Sequence, residues 1–380
     1  MSQGTLLFGF HSRANLAGNC TSPRTAPLRH TPHVPMTRLF ALLLCLLALC
    51  APAFAAQGRI VVETLHLQAL EGNRIGDTAD RRVTVYLPAS YDRDPARRYP
   101  VVYLLHGATS DPREWLDGTY QGMDLPVALD AVADDAAYIV VMPMADNAFG
   151  GSFYVDSAAF GRWEQAIAGE LVAFVDARFR TLPTRESRGL AGQSMGGFGA
   201  LSLAGRHPDT FGHVYATSPC CLGLVGDLAP DGARWRQAPG GLLRAMAMAF
   251  APADADADAD AATPPLPFVA GPGGRMREVP AVAQAWRSHM PLEALRRDPA
   301  PYRRLCSIAL DAGLQDEIPN VTAGAAAFSQ ALQQAGVAHA YEAFAGTHTD
   351  HLRQRFETAL LPFFARVLAT PARPGACAGG

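Results

Sequence analysis

The sequence predicts an α/β fold, a mostly parallel sheet with helices on both faces, in a single domain over residues 58–370. Three observations carry this. Strand-like and helix-like stretches alternate along most of the 380 residues. Two of the strand-like runs, Val101 to Leu105 and Tyr138 to Met142, are continuously apolar, as strands buried on both faces must be. Between later runs, residues 161–178 carry Ile167, Leu171, Val172 and Val175 at helical spacing.

Taken in order, Arg59 to Leu67 and Arg82 to Leu87 open the domain as strands rich in β-branched residues. Val101 to Leu105 follows, then a helix at Leu125 to Ala133 and the second buried run. After the helix of 161–178 comes a short strand ending at Gly189 to Ala191, with a helix from Gly196 to Gly205. Val214 to Ser218, Ser307 to Ala312 and Ala338 to Phe344 supply three more strands. Helices at Ala323 to Ala335 and His351 to Leu368 complete the alternation, whose crossovers favour parallel pairing. Residues 222–300 break the rhythm. They are rich in Gly, Pro and Ala and contain an Ala-Asp tract at 253–262 that cannot bury a core face. This stretch reads as an insertion, helical at Gly241 to Phe250 and Val282 to Met290. It serves either as a lid or as a surface excursion, with residues 371–380 as a flexible tail.

The N-terminal region is read separately. Residues 1–35 show no sustained apolar period and read as a leader outside the fold. From Met36, Arg38 precedes an apolar run from Leu39 to Leu49, and Ala53 and Ala55 form an A-x-A site. Residues 36–55 therefore read as a signal peptide cleaved after Ala55. A transmembrane anchor is the alternative, but the run is short of the roughly 20 residues a span needs; a lipoprotein reading through Cys50 is disfavoured by the bulky Leu49 before it. Translation starting at Met36, and a periplasmic or secreted protein with no stable membrane span, are the corresponding expectations. Of seven cysteines, Cys220, Cys221, Cys306 and Cys377 remain after cleavage. Neighbours in sequence strain a mutual bond, so Cys220 or Cys221 is expected to pair with Cys306 or Cys377. No CxxC pair points to zinc. The net charge of -3 and the absence of a basic block give no attraction for nucleic acid or an anionic membrane.

The chemistry-bearing residues begin at Gly192-Gln193-Ser194-Met195-Gly196. This G-x-S-x-G pattern is a sharp strand-to-helix turn that holds a serine hydroxyl clear of the sheet, and a Cβ at either glycine would collide. A preceding strand and the small residues of Gly196 to Ala200 support the turn. A serine nucleophile needs a base, and the base an orienting carboxylate, in the order Ser, acid, His. His348, just past the last strand, is the expected base, with His351 the alternative and His339 inside the strand and structural. Asp316 is the expected acid on the loop after Ser307 to Ala312, with Glu317 second. Asp311 is third, its expected role being to hold the loop by backbone hydrogen bonds. Two N–H donors should stabilise an oxyanion, worth on the order of 3 kcal/mol each. They are Met195, directly after the serine, and Ala108, on the loop after Val101 to Leu105. His106 comes too early in the order to be the base and is expected to prop that loop.

These residues resemble the putative esterase (esterase D-like) family of α/β-hydrolases. The resemblance is carried by Val102-Tyr103-Leu104-Leu105-His106-Gly107 with Trp115, by Gly151 to Ser157 with Trp163-Glu164, by Gly192 to Leu201, by Asp311-x-Gly313-x-x-Asp316 and by Gly346-x-His348. It covers roughly residues 60–370 outside the insertion. It implies an α/β-hydrolase fold and a cofactor-free acyl-enzyme mechanism through Ser194, Asp316 and His348, acting on small-molecule or polymer-linked esters. The insertion departs from the family pattern, and so does Thr349-Asp350-His351, which lacks an aromatic residue often found after the family's histidine. An acyltransferase of the mycolyltransferase type and a non-catalytic binding protein are the competing readings, with a peptidase behind them.

Overall fold

Each of the eight runs expected to form a strand does so. In chain order they are β1 (Arg59–His66), β2 (Asp80–Leu87), β3 (Val101–Leu105), β4 (Ile139–Pro143), β5 (Arg188–Gln193), β6 (His213–Thr217), β7 (Ser307–Gly313) and β8 (Ala340–Phe344). They form one sheet in the order β1-β2-β4-β3-β5-β6-β7-β8. β1 pairs antiparallel with β2 and β2 with β4; every other neighbouring pair is parallel. The computed structural model describes residues 57–237, 240–252 and 265–371, together with Arg373 and Cys377. The expected leader, signal peptide and Ala-Asp tract lie outside the described residues, as does most of the expected tail. No helix among the described residues is long and apolar enough to cross a membrane.

The continuous apolar runs have a simple reason. On β3, Val101, Tyr103 and Leu105 enter one core while Val102 and Leu104 enter the other. On β4 the split is Ile139 and Val141 against Val140 and Met142. Successive side chains point to opposite faces, so a strand with helices on both sides has little place for a polar residue that lacks a buried partner. The first core receives α1 (Met195–Arg206) and the helical run from Trp163 to Arg178. The second receives Leu125–Asp130 and the C-terminal helical run from Leu352 to Val367.

The helices expected within the insertion form as α2 (Gly241–Phe250) and α3 (Pro280–His289). The α2 helix buries a full face, including Leu243, Met246, Ala247 and Phe250. Phe250 meets Phe153, Phe198 and Trp286 with ring centroids 5.3, 5.6 and 5.5 Å apart. The buried Ser157 hydroxyl donates to the Met248 carbonyl at 3.0 Å. This helix is therefore core, not a cover laid over a finished surface.

Two sequence expectations need correction. The disulfide joins Cys306 to Cys377, while Cys220 and Cys221 are both free and buried. The latter pair is enclosed at the end of β6, next to the serine turn, where Cys220 N–H donates to the Ser194 carbonyl at 3.3 Å. His339 stands before β8, not inside it, and its ring bonds the Ser329 hydroxyl at 2.8 Å and the Val337 carbonyl at 2.9 Å.

Candidate active site

Sheet register gathers the chemistry at one edge. Leu105 of β3 lies opposite Gly192 of β5, Gln193 opposite Thr217 of β6, Thr217 opposite Asp311 of β7, and Gly313 opposite Phe344 of β8. The loops that leave these positions all emerge at the carboxyl ends of parallel strands, where α/β sheets hold their ligands.

Ser194 sits between β5 and α1 with φ 59° and ψ -120°, a conformation a non-glycine residue rarely adopts. The flanking glycines make the turn possible. A Cβ on Gly192 would lie 2.2 Å from the Gly196 carbonyl, and one on Gly196 would lie 1.9 Å from the Leu105 carbonyl oxygen. The turn is tied across the sheet by Ser194 N–H donating to the Thr217 carbonyl at 3.0 Å.

The loops after β7 and β8 are zipped together. Leu314 N–H donates to Phe344 C=O at 2.8 Å, and Gln315 N–H to Gly346 C=O at 2.9 Å. The Gln315 side-chain oxygen accepts Gly346 N–H at 2.8 Å. That pairing brings Asp316 to His348, whose Nδ1 lies 2.8 and 3.0 Å from the two carboxylate oxygens. The Asp316 side chain is fully buried and also accepts the Ile318 N–H at 3.0 Å. Glu317, the second choice for the acid, takes another job: it accepts the His348 backbone N–H at 3.2 Å. His351, at the start of the C-terminal helical run, is exposed.

Asp311, expected to hold the loop by backbone hydrogen bonds, accepts the Ser218 N–H at 2.9 Å and in addition ends its side chain in a buried cluster. It accepts Tyr215 O–H at 2.8 Å and Arg355 Nε–H and Nη2–H at 3.0 and 2.9 Å. Burial pushes its carboxyl above the usual range, against the pull of Arg355. Arg355 also reaches Glu342 at 2.8 Å, so this group joins β6, β7, β8 and the C-terminal helical run. Its work is structural.

His106 is enclosed below the loop after β3. Ala145 N–H donates to its Nε2 at 2.8 Å, which leaves Nδ1–H to donate to the Gly107 carbonyl at 2.8 Å. Burial lowers this imidazole to about 4, so it stays neutral at ordinary pH. Tyr154 O–H donates to the His106 carbonyl at 3.0 Å and Thr109 N–H to Gly150 C=O at 2.8 Å. The loop is thus held from three sides with Ala108 at its tip. Met195 opens α1, where a first-turn N–H has no partner within its own helix.

Ser194, His348 and Ala108 line one cavity of about 770 Å³, with Gly107, Thr109, Tyr120, Phe149, Gln193 and residues of α2. Met195 does not line it; its side chain is buried beneath. Among the described residues no hydrogen bond joins the Ser194 hydroxyl to His348. The imidazole Nε2 instead faces the Gln193 side-chain nitrogen at 3.1 Å. With Nδ1–H given to Asp316, Nε2 is an acceptor and the Gln193 amide donates to it.

The family profile described as "Putative esterase" matches residues 76–366. The chain belongs to this family. Among relatives, an esterase of Mycobacterium tuberculosis is 36% identical over 137 residues, which is 36% of this chain and 28% of that protein. An endo-1,4-beta-xylanase/feruloyl esterase of Xylanibacter ruminicola is 32% identical over 139 residues, 34% of this chain and 18% of that protein. The chain thus spans under a third of the length of either relative. A ferulic acid esterase structure superposes with TM-score 0.58 at 22% identity, covering 82% of this chain and 98% of that one. An S-formylglutathione hydrolase from Agrobacterium tumefaciens gives TM-score 0.56 at 18% identity, over 83% and 97% of the two chains. At such identities these likenesses speak for the α/β-hydrolase fold that this esterase-family chain adopts.

Sequence reasoning did not single out Gln193, Phe149 or Arg244, all of which line the cavity. Gln193 occupies the variable position of G-x-S-x-G, which gives no hint that its amide reaches residue 348. Phe149 and Arg244 line the cavity from a loop and from the insertion, and neither stands in a motif.

Proposed function

We propose that this protein hydrolyses carboxylic esters through an acyl-enzyme on Ser194. The observation that supports it most is the Asp316–His348 pair, at 2.8 Å, opening on the same cavity as a serine held in a strained turn. Ser194 Oγ attacks the ester carbonyl while His348 Nε2 takes its proton, after the imidazole moves from Gln193 to the hydroxyl. Asp316 holds the Nδ1–H tautomer and stabilises the imidazolium. The Ala108 and Met195 N–H groups receive the carbonyl oxygen as it becomes negative. The tetrahedral species then collapses, and the C–O bond to the alcohol breaks as His348 returns the proton to the leaving oxygen. Water attacks the acyl-enzyme with His348 again as base, and the acid departs, restoring Ser194.

The substrates are small-molecule or polymer-linked esters met outside the cytoplasm. Export is supported by the signal-like run at 36–55 and by the Cys306–Cys377 disulfide, a bond that persists in oxidising compartments. The aromatic side chains of Tyr120 and Phe149 in the cavity fit aryl acyl groups such as those named for the feruloyl esterase relatives.

The test is labelling with a fluorophosphonate probe alongside turnover of acetyl, butyryl, longer acyl and feruloyl esters. Ser194→Ala is expected to abolish labelling, and Asp316→Asn to cut kcat by roughly 10⁴-fold while the fold survives. Folded wild-type protein that takes no label would defeat the reading. Products formed with added alcohols distinguish hydrolysis from acyl transfer.

A further inference from the structure

We propose that Arg244 makes the cavity selective for esters that carry a carboxylate in addition to the scissile group; this rests on the ester-hydrolase reading above. The cavity lining contains glycines, alanines, hydroxyl side chains, aromatic rings, Leu242, Ile318, Gln193 and the serine and histidine of the site. Among the described residues, Arg244 is the single permanently charged one that lines the cavity, and none of those lining it is acidic. A lone guanidinium sets the sign of the potential in such a space, because low-dielectric walls concentrate its field.

Arg244 is also free to act. Among the described residues it forms no ion pair, whereas Arg59, Arg178, Arg234, Arg287, Arg296 and Arg353 each pair with an Asp or Glu. Its guanidinium rests over the Phe149 ring, 5.3 Å from the centroid, and both residues line the cavity. Stacking holds the planar group without using its N–H donors, leaving the fork open to a carboxylate. The position of the residue is set by packing. Arg244 follows the buried Leu243 on α2 and precedes Ala245 and Met246, whose burial fixes the helix against the core. The first turn of α2 contains no acidic residue, so nothing there cancels the charge, and Gly241 and Leu242 present that end of the helix to the same cavity.

The test uses matched esters in which only the charge differs. On the acyl side these are 4-nitrophenyl hemiglutarate and 4-nitrophenyl pentanoate; on the alcohol side, 4-carboxyphenyl butyrate and phenyl butyrate. In at least one pair, kcat/KM for the anionic ester should exceed that of the neutral one by about ten-fold, mainly through KM. Arg244→Met should bring that ratio to about one while changing the neutral ester little, and Arg244→Lys should retain part of it. Raising the ionic strength should lower the ratio in the wild type. Equal or lower efficiency for the anionic ester in both pairs, or a ratio that Arg244→Met leaves intact, would overturn the proposal. Binding of the same four compounds to Ser194→Ala, followed by tryptophan fluorescence, decides the matter without turnover. Absent fluorophosphonate labelling counts against the hydrolase reading, whereas absent anion preference in binding counts against Arg244.

Discussion

At Ser194 the backbone is held where an ordinary residue would not rest, and its neighbours explain why it stays there. The glycine contacts leave no space for another path, and the β6 edge accepts its N–H. This much is legible in five letters, because G-x-S-x-G encodes a steric requirement. The same is not true of Gln193, whose amide reaches His348 only because the loop after β8 is folded back over the elbow. In the resting protein this contact satisfies the nitrogen that takes the serine proton in the proposed mechanism, so on that reading it stabilises a state that cannot react. Gln193→Met keeps the length of the side chain and removes the donor. The rate of fluorophosphonate labelling should then rise about five-fold, the equivalent of a neutral hydrogen bond of about 1 kcal/mol. A fall in that rate, with stability unchanged, would instead make Gln193 a residue that positions the imidazole.

At the scale of elements, β3 and β4 were readable because burial on both faces excludes polar residues over five positions at a time. The α2 and α3 helices were readable within the insertion because their apolar spacing persists there, whereas the Pro291–Arg297 helix and the short antiparallel pair Phe268–Ala270 and Met276–Glu278 were not. The function of α2 was not readable, since nothing local says that its outer turn borders the cavity while its inner face packs on Phe198 and Phe153. The junction of β5 and α1 offers a sharp test of element packing. Gly196→Ala would put a Cβ 1.9 Å from the Leu105 carbonyl oxygen, which is backbone and cannot swing aside. Either β3 or α1 must then shift, at a cost beyond the roughly 1–3 kcal/mol of ordinary overpacking. Chemical denaturation should show the loss, and labelling at Ser194 should disappear even in the folded fraction.

Across the whole molecule, buried neutral histidines tie stability to pH. His106 and His213 are almost wholly enclosed, and burial lowers both to about 4 from an ordinary value of 6.5. His213 bonds the Ser307 hydroxyl at 3.1 Å and the Glu186 carbonyl at 3.0 Å, so it too is held by neutral partners. The unfolded chain takes up these protons near pH 6.5, whereas the native state refuses them until near pH 4. Stability should therefore be full above about 6.5, decline as the pH falls towards 4, and lose no more to these groups below that, by about 3 kcal/mol per ring. Urea titrations at half-unit intervals measure this. A His213→Gln variant that folds should show a shallower decline, and an identical one would remove His213 from the account.

The sequence by itself determined the strand and helix order and the serine turn, and it singled out Asp316 and His348, which the fold brings together. Steric needs, burial on two faces and the order of the loops are written in neighbouring residues. Tertiary structure alone decided which cysteines meet, that Asp311 serves Arg355 and Tyr215, that Gln193 faces the imidazole and that Arg244 lines the cavity. Each of those depends on how distant segments meet in space, which local patterning does not encode.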